Sequence, residues 1–123
     1  MINIPVSVGE LFDKITILEI KLTNVKNITK LKNIEKEYNL LLEISRQIDK
    51  NNINYLIEEL KQINSILWEI ENQIRAKENA QEFNDEFIKI ARSVYKNNDT
   101  RAAIKKKINE ITNSIIHEEK EHL

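Results

Sequence analysis

The chain has no cysteine, and among its 123 residues there is a single glycine, a single proline and a single tryptophan. Without Cys, disulfide frameworks, thiolate metal sites and Cys nucleophiles are excluded. Pro5 and Gly9 both lie close to the start, so nothing downstream punctuates a series of strands, and an all-α fold is expected. No apolar run approaches the roughly 18 residues of a membrane span, and MINIPVSVGE lacks the basic and apolar regions of a signal peptide. The expected location is the cytoplasm. There is no G-x-G-x-x-G, P-loop or nucleophile elbow, so no cofactor is expected and no reaction is named. Whether the protein is an enzyme stays open at this level.

What the sequence does have is a bias: 22 Ile, 16 Asn and 15 Lys. Against that background the four Arg and five Ala are informative departures. With 41% apolar and 32% charged residues the chain is far from a disordered composition, and its length fits one domain, residues 1 to 123. Net charge is −1, which argues against a general nucleic-acid binder. The charge is unevenly spread, however. Lys89, Arg92, Lys96, Arg101, Lys105, Lys106 and Lys107 face only Glu86 and Asp99 within residues 86 to 109.

The spacing predicts an antiparallel bundle of four to five helices with a short extended arm at Ile2 and Ile4. Ser7-Val8-Gly9-Glu10 fits a capping box that starts the first helix. Placed about 100° apart, Leu11, Ile15, Leu18 and Leu22 take one side while Phe12, Ile17 and Ile20 spread over the others. That helix should be packed on several sides, so its charges need partners. Apolar steps of three at 28, 31 and 34 suggest a bend near Asn27-Ile28-Thr29, with Thr29 a candidate cap. A further helix is predicted from about Ile53 to Lys77 with Leu56, Leu60, Ile63, Leu67, Ile70 and Ile74 buried. Another should run from Asn84 to about Lys96, broken at 97 to 100, before a last helix carrying Ala102, Ile104, Ile108, Ile111 and Ile115.

If residues 97 to 100 start a helix, its free N–H groups would stand beside Arg92, Tyr95, Arg101 and Lys105 as parts of a site for phosphate, carboxylate or sulfate. The stronger reading of Arg92 and Arg101 is structural, as clamps on Asp13, Glu19 or Asp99 that hold the helices in register. Glu10 with Lys14 and Glu71 with Arg75 have the spacing of intrahelical pairs, and Trp68 reads as a core or dimer anchor. His117 with Glu121, and Glu118 with His122, have i,i+4 spacings that can hold a metal but lie at the chain end, where helices fray, and no metal is expected.

SVGELFDKITILEIK, LWEIENQIR and ARSVYKNNDTRAAIKKKIN together resemble a family of short bacterial and phage proteins of unknown function. The likeness spans nearly the whole chain. It implies a setting in cell-surface polysaccharide or nucleotide-sugar metabolism, and, where its motifs mark a shared site, Lys14, Glu19, Arg92, Tyr95, Asp99, Arg101 and Lys105 as ligand-binding residues. Three functional classes follow. The first is a binding or accessory protein, expected as a homodimer, whose Arg/Tyr/Lys junction takes an anionic metabolite or an acidic partner surface. The second is a small all-α enzyme stabilising an anionic substrate electrostatically, similar to helical chorismate mutases in design only. The third is a coiled-coil adaptor, favoured if residues 29 to 79 form a long exposed hairpin.

Overall fold

The computed structural model describes residues 1–122; Leu123, the last residue of the expected domain, lies outside the described residues. Among the described residues there are four helices and no strand: α1 (Val8–Asn24), α2 (Ile28–Ser45), α3 (Asn54–Asn79) and α4 (Asp85–Ile111). The all-α expectation holds, at the lower end of the predicted helix number. α3 and α4 form an antiparallel pair, and α1 packs on both of them and on α2. α2 makes close backbone approach to α1 alone, so it lies on the outside of an α1, α3 and α4 core. It buries only Ser45 fully. The condition for the adaptor reading, a hairpin of residues 29 to 79, is therefore not met: α2 and α3 do not pair with each other.

The core joins Leu11, Phe12 and Ile15 of α1 to Ile53, Leu56, Leu60 and Ile63 at the start of α3 and Ile108 of α4. Tyr38 and Leu41 of α2, with Ile48 just past its end, pack against it. α1 is packed on several sides, as its spread of apolar residues predicts, with Leu11, Phe12, Ile15, Leu18 and Ile20 all buried. The predicted stripe of α3 is also found, with Leu56, Leu60, Ile63 and Ile70 buried and Leu67 and Ile74 half-buried.

The helix ends show local chemistry. Asn27, not Thr29, caps α2, its side chain accepting from the Lys30 N–H at 3.0 Å. α3 and α4 both end with a left-handed residue, Gln81 (φ 55°) and Asn113 (φ 53°). After each, the chain closes a Schellman turn: the Glu82 N–H donates to the Lys77 carbonyl, and the Ser114 N–H to the Asn109 carbonyl, both at 2.9 Å. The turn at Asn113 stops the last helix short of the tail. Ile115, expected on its buried stripe, is 99% exposed, and Ile111 is also exposed.

The expected break at residues 97 to 100 is absent. α4 runs through it, because the polar side chains there turn back onto their own helix: Asn97 Nδ2 donates to the Ser93 carbonyl at 2.8 Å and Thr100 Oγ1 to the Lys96 carbonyl at 3.3 Å. Packing on α3 supplies what propensity lacks.

Candidate functional site

Asp13 follows Phe12 into the interior and is 1% exposed. An ionised carboxylate there costs several kcal/mol unless it is paired and fully hydrogen-bonded. α4 supplies the pair. Arg101 Nε donates to Asp13 Oδ1 at 2.9 Å, and its Nη2 donates to Oδ2, a two-pronged contact suited to the planar guanidinium. α3 adds Asn64, whose Nδ2 donates to Asp13 Oδ1 at 2.9 Å and to Thr16 Oγ1 at 3.1 Å. Burial would push the Asp13 carboxyl up; the hydrogen bonds from Arg101 and Asn64 and the charges of Arg101 and Lys105 outweigh it and hold the group below the usual range.

One turn further along α4, Lys105 Nζ donates to Glu10 Oε2 at 2.6 Å and stands 3.5 Å from both Asp13 Oδ2 and Glu118 Oε2. Lys14 adds a looser contact to Glu10 at 3.6 Å. Burial raises the Glu10 carboxyl, but the Lys105 bond and charge bring it below its ordinary value. Burial likewise lowers the Lys105 ammonium, and the Glu10 bond with the charges of Asp13 and Glu10 lifts it above its ordinary value.

The start of α1 is closed by side chains. Ser7 Oγ accepts from the Glu10 N–H at 3.0 Å, Asn109 Oδ1 from the Gly9 N–H at 2.7 Å, and Ser114 Oγ from the Val8 N–H at 3.1 Å. Half of the predicted capping box is thus present, while the Glu10 carboxylate turns to Lys105 instead of the Ser7 N–H. Gly9 is where α1 meets α4, and a Cβ built on it would lie 2.6 Å from the Lys105 carbonyl oxygen. That is why the chain keeps its one glycine inside a helix.

The buried Ser7 hydroxyl also donates to Glu118 Oε1 at 3.0 Å. Glu118 belongs to the non-helical segment after α4, and its side chain is 49% exposed. Its contribution decides the charge of the cluster: Lys14, Arg101 and Lys105 balance Glu10, Asp13 and Glu118 only when Glu118 is counted. Beside this carboxylate lies a cleft of about 320 Å³ lined by Arg101, Lys105, Lys106, Asn109, Glu118 and Lys120, among others.

The structure gathers only part of the expected set. Arg101, Lys105 and Lys14 meet in the cluster. Arg92 and Tyr95 do not, because on an unbroken α4 Arg92 sits about 180° and Tyr95 about 120° around the helix from Arg101. Both are exposed, and the free helix start they were to flank does not exist. Glu19 pairs with Lys61 at 3.6 Å on another face, and Asp99 with Lys120 at 2.9 Å on the surface. Ser7, Glu10, Asn64, Asn109 and Glu118 complete the cluster; the sequence marks none of them as a ligand-binding residue, and Glu118 only as part of a metal spacing. Asn64, lodged in the apolar stripe of α3, is the one with a readable signal.

Residues 117 to 122 are not helical, so the i,i+4 spacings of His117 and His122 have no helix to act on. Among the described residues, no group of three or more His, Asp or Glu side chains is placed to hold a metal ion, and no helix is long and apolar enough to cross a membrane. No curated protein and no solved structure matches the chain. A family model matches residues 2–122, and by it the chain belongs to DUF6165, a family of unknown function.

Proposed function

We propose that the protein is a binding protein for a small carboxylate- or phosphate-bearing ligand, which takes the place of Glu118 beside Ser7 and Lys105. The observation that carries this reading is the charge balance. Arg101 and Glu10 are committed to α1 and α4 contacts, but the last negative charge comes from an exposed side chain on a non-helical segment. An anion entering there would gain the buried Ser7 hydroxyl and the Lys105 ammonium, with Lys106 and Lys120 on the rim. It would lose only a half-exposed carboxylate contact, worth little in water. The setting proposed for it, from the family resemblance, is cell-surface polysaccharide or nucleotide-sugar metabolism.

Binding is favoured over proton-transfer catalysis for a physical reason. Glu10 and Asp13 are moved down and Lys105 up, away from neutrality, whereas a general acid or base works best when its titration lies near the working pH.

Thermal unfolding of the wild type, Glu118→Gln and Lys105→Gln with inorganic phosphate, a dicarboxylate and a nucleotide sugar tests the reading. At least one anion should raise the wild-type midpoint, raise that of Glu118→Gln further, and leave Lys105→Gln nearly unmoved. Equal responses in folded Lys105→Gln and wild type, or no response to any anion, would refute it.

A further inference from the structure

Arg101 has a second side. Its contact with Asp13 occupies two of five guanidinium N–H groups, and Nη1 reaches only Asn98 Oδ1, at 3.4 Å. Arg101 also lines a second cleft of about 500 Å³, bounded by side chains of α1, α3 and α4. The cleft changes character along its length. At the Arg101 end are Asn64 and Asn98; the middle is apolar, with half-buried Trp68 of α3, Ile17, Leu67 and Val94. Glu71, Asn72 and Arg75 also line it, Arg75 standing 3.6 Å from Glu71.

We propose that this cleft is a binding site for a small ring-bearing anion, with the planar ring against Trp68 and the acid group on Arg101 Nη1 and Asn98 Nδ2. Its volume lies in the range of small-molecule sites, and an apolar wall with a few converging polar donors is their usual composition. The polarity is set by chemistry already present. Asp13 fixes the guanidinium in place, so Arg101 offers its remaining donors without first having to be ordered. Asn98 spends its oxygen on Arg101 and so keeps its amide N–H₂ as a donor. An indole face receives a planar ring well, in an offset-stacked or edge-to-face arrangement. The site adjoins the Glu118 cleft, with which it shares Arg101 and Asn98, but of the two only this one is lined by an aromatic side chain.

Because Trp68 is the only tryptophan, its indole N–H gives a single, assigned-by-default resonance in a ¹⁵N-labelled sample. The titration uses phenyl phosphate and benzoate, with benzyl alcohol as the neutral ring and inorganic phosphate as the ringless anion. The Trp68 resonance should move saturably with the two ring-bearing anions and respond at least about tenfold more weakly to either control. Asn98→Asp keeps an acceptor for Arg101 but puts a negative charge where the acid group would sit. It should remain folded, weaken the two anions by at least about tenfold and leave the benzyl alcohol response unchanged. Glu118→Gln should leave all Trp68 responses as they are, which separates this site from the one proposed above. No movement of Trp68 with any compound would overturn the inference, as would equal binding of phenyl phosphate by Asn98→Asp and wild type. A Trp68 resonance that shifts with protein concentration alone would also overturn it, by showing that a second copy of the chain covers the cleft.

Discussion

Arg101 of α4 holds Asp13 of α1 through both carboxylate oxygens, across 88 residues of sequence, and Asp13 is the more deeply buried of the two. The asymmetry makes the two partners unequal. Removing Arg101 leaves a carboxylate of 1% exposure with only the Asn64 amide and the Lys105 ammonium at 3.5 Å; removing Asp13 leaves a guanidinium whose side chain is 29% exposed and can still reach water. Arg101→Met should therefore cost about 3–5 kcal/mol, and Asp13→Asn about 1–3 kcal/mol. In thermal unfolding the former should lower the midpoint by about 10–20 °C. The double variant Asp13→Leu with Arg101→Met should be more stable than Arg101→Met alone, since the buried carboxylate is then removed along with its guanidinium partner.

The pH dependence follows from the same pair. Asp13 and Glu10 titrate lower in the folded than in the unfolded chain, so their stabilisation is present above their ordinary values of 3.8 and 4.5 and is lost as pH falls through the lowered folded values. Denaturant unfolding should show stability dropping as pH is taken below about 4, and the drop should be shallower for Asp13→Asn. At the alkaline end the sign reverses. Lys105 titrates higher when folded, so its contribution is intact below its ordinary value of 10.5 and disappears only as pH rises beyond it.

Gly9→Ala should destabilise the protein although alanine is the better helix former by about 1 kcal/mol. The added methyl would meet the Lys105 carbonyl at 2.6 Å and the Asn109 side chain at 3.0 Å, so α1 and α4 would have to separate. A net loss of about 1–3 kcal/mol is expected in equilibrium unfolding. A neutral or stabilising effect would mean that the contact at Gly9 is looser than described.

Gln81→Gly should do the opposite. Gln81 has φ 55°, a conformation costly for a residue with a Cβ, and it ends α3 in a Schellman turn. Glycine there should add about 1 kcal/mol of stability, and Asn113→Gly should add less, because asparagine tolerates the left-handed region better.

Much of this architecture can be read from the residues, and the exceptions have physical causes. α1 and α3 are legible because their apolar residues recur at helical spacing. The crowding of α1 also signals that Asp13 and Glu10 need partners. The sequence around 97 to 100 misleads, since Asn, Asp and Thr favour caps in isolation but here bond backwards to their own helix or to side chains on the surface. With that break gone, the phase of α4 changes, which is why Arg92 and Tyr95 fall away from Arg101. Glu118 reads in the sequence only as part of a metal spacing, and its place beside Ser7 and Lys105 is not legible because it depends on a left-handed turn at Asn113 that no glycine marks.

The most direct test of the central claim is a calorimetric titration of inorganic phosphate into the wild type and into Glu118→Gln. If Glu118 occupies the anion site, removing its charge removes an internal competitor, and phosphate should bind the variant about three- to tenfold more tightly. Equal affinities, or no binding to either protein, would contradict the account and leave Glu118 as a surface contact of the tail.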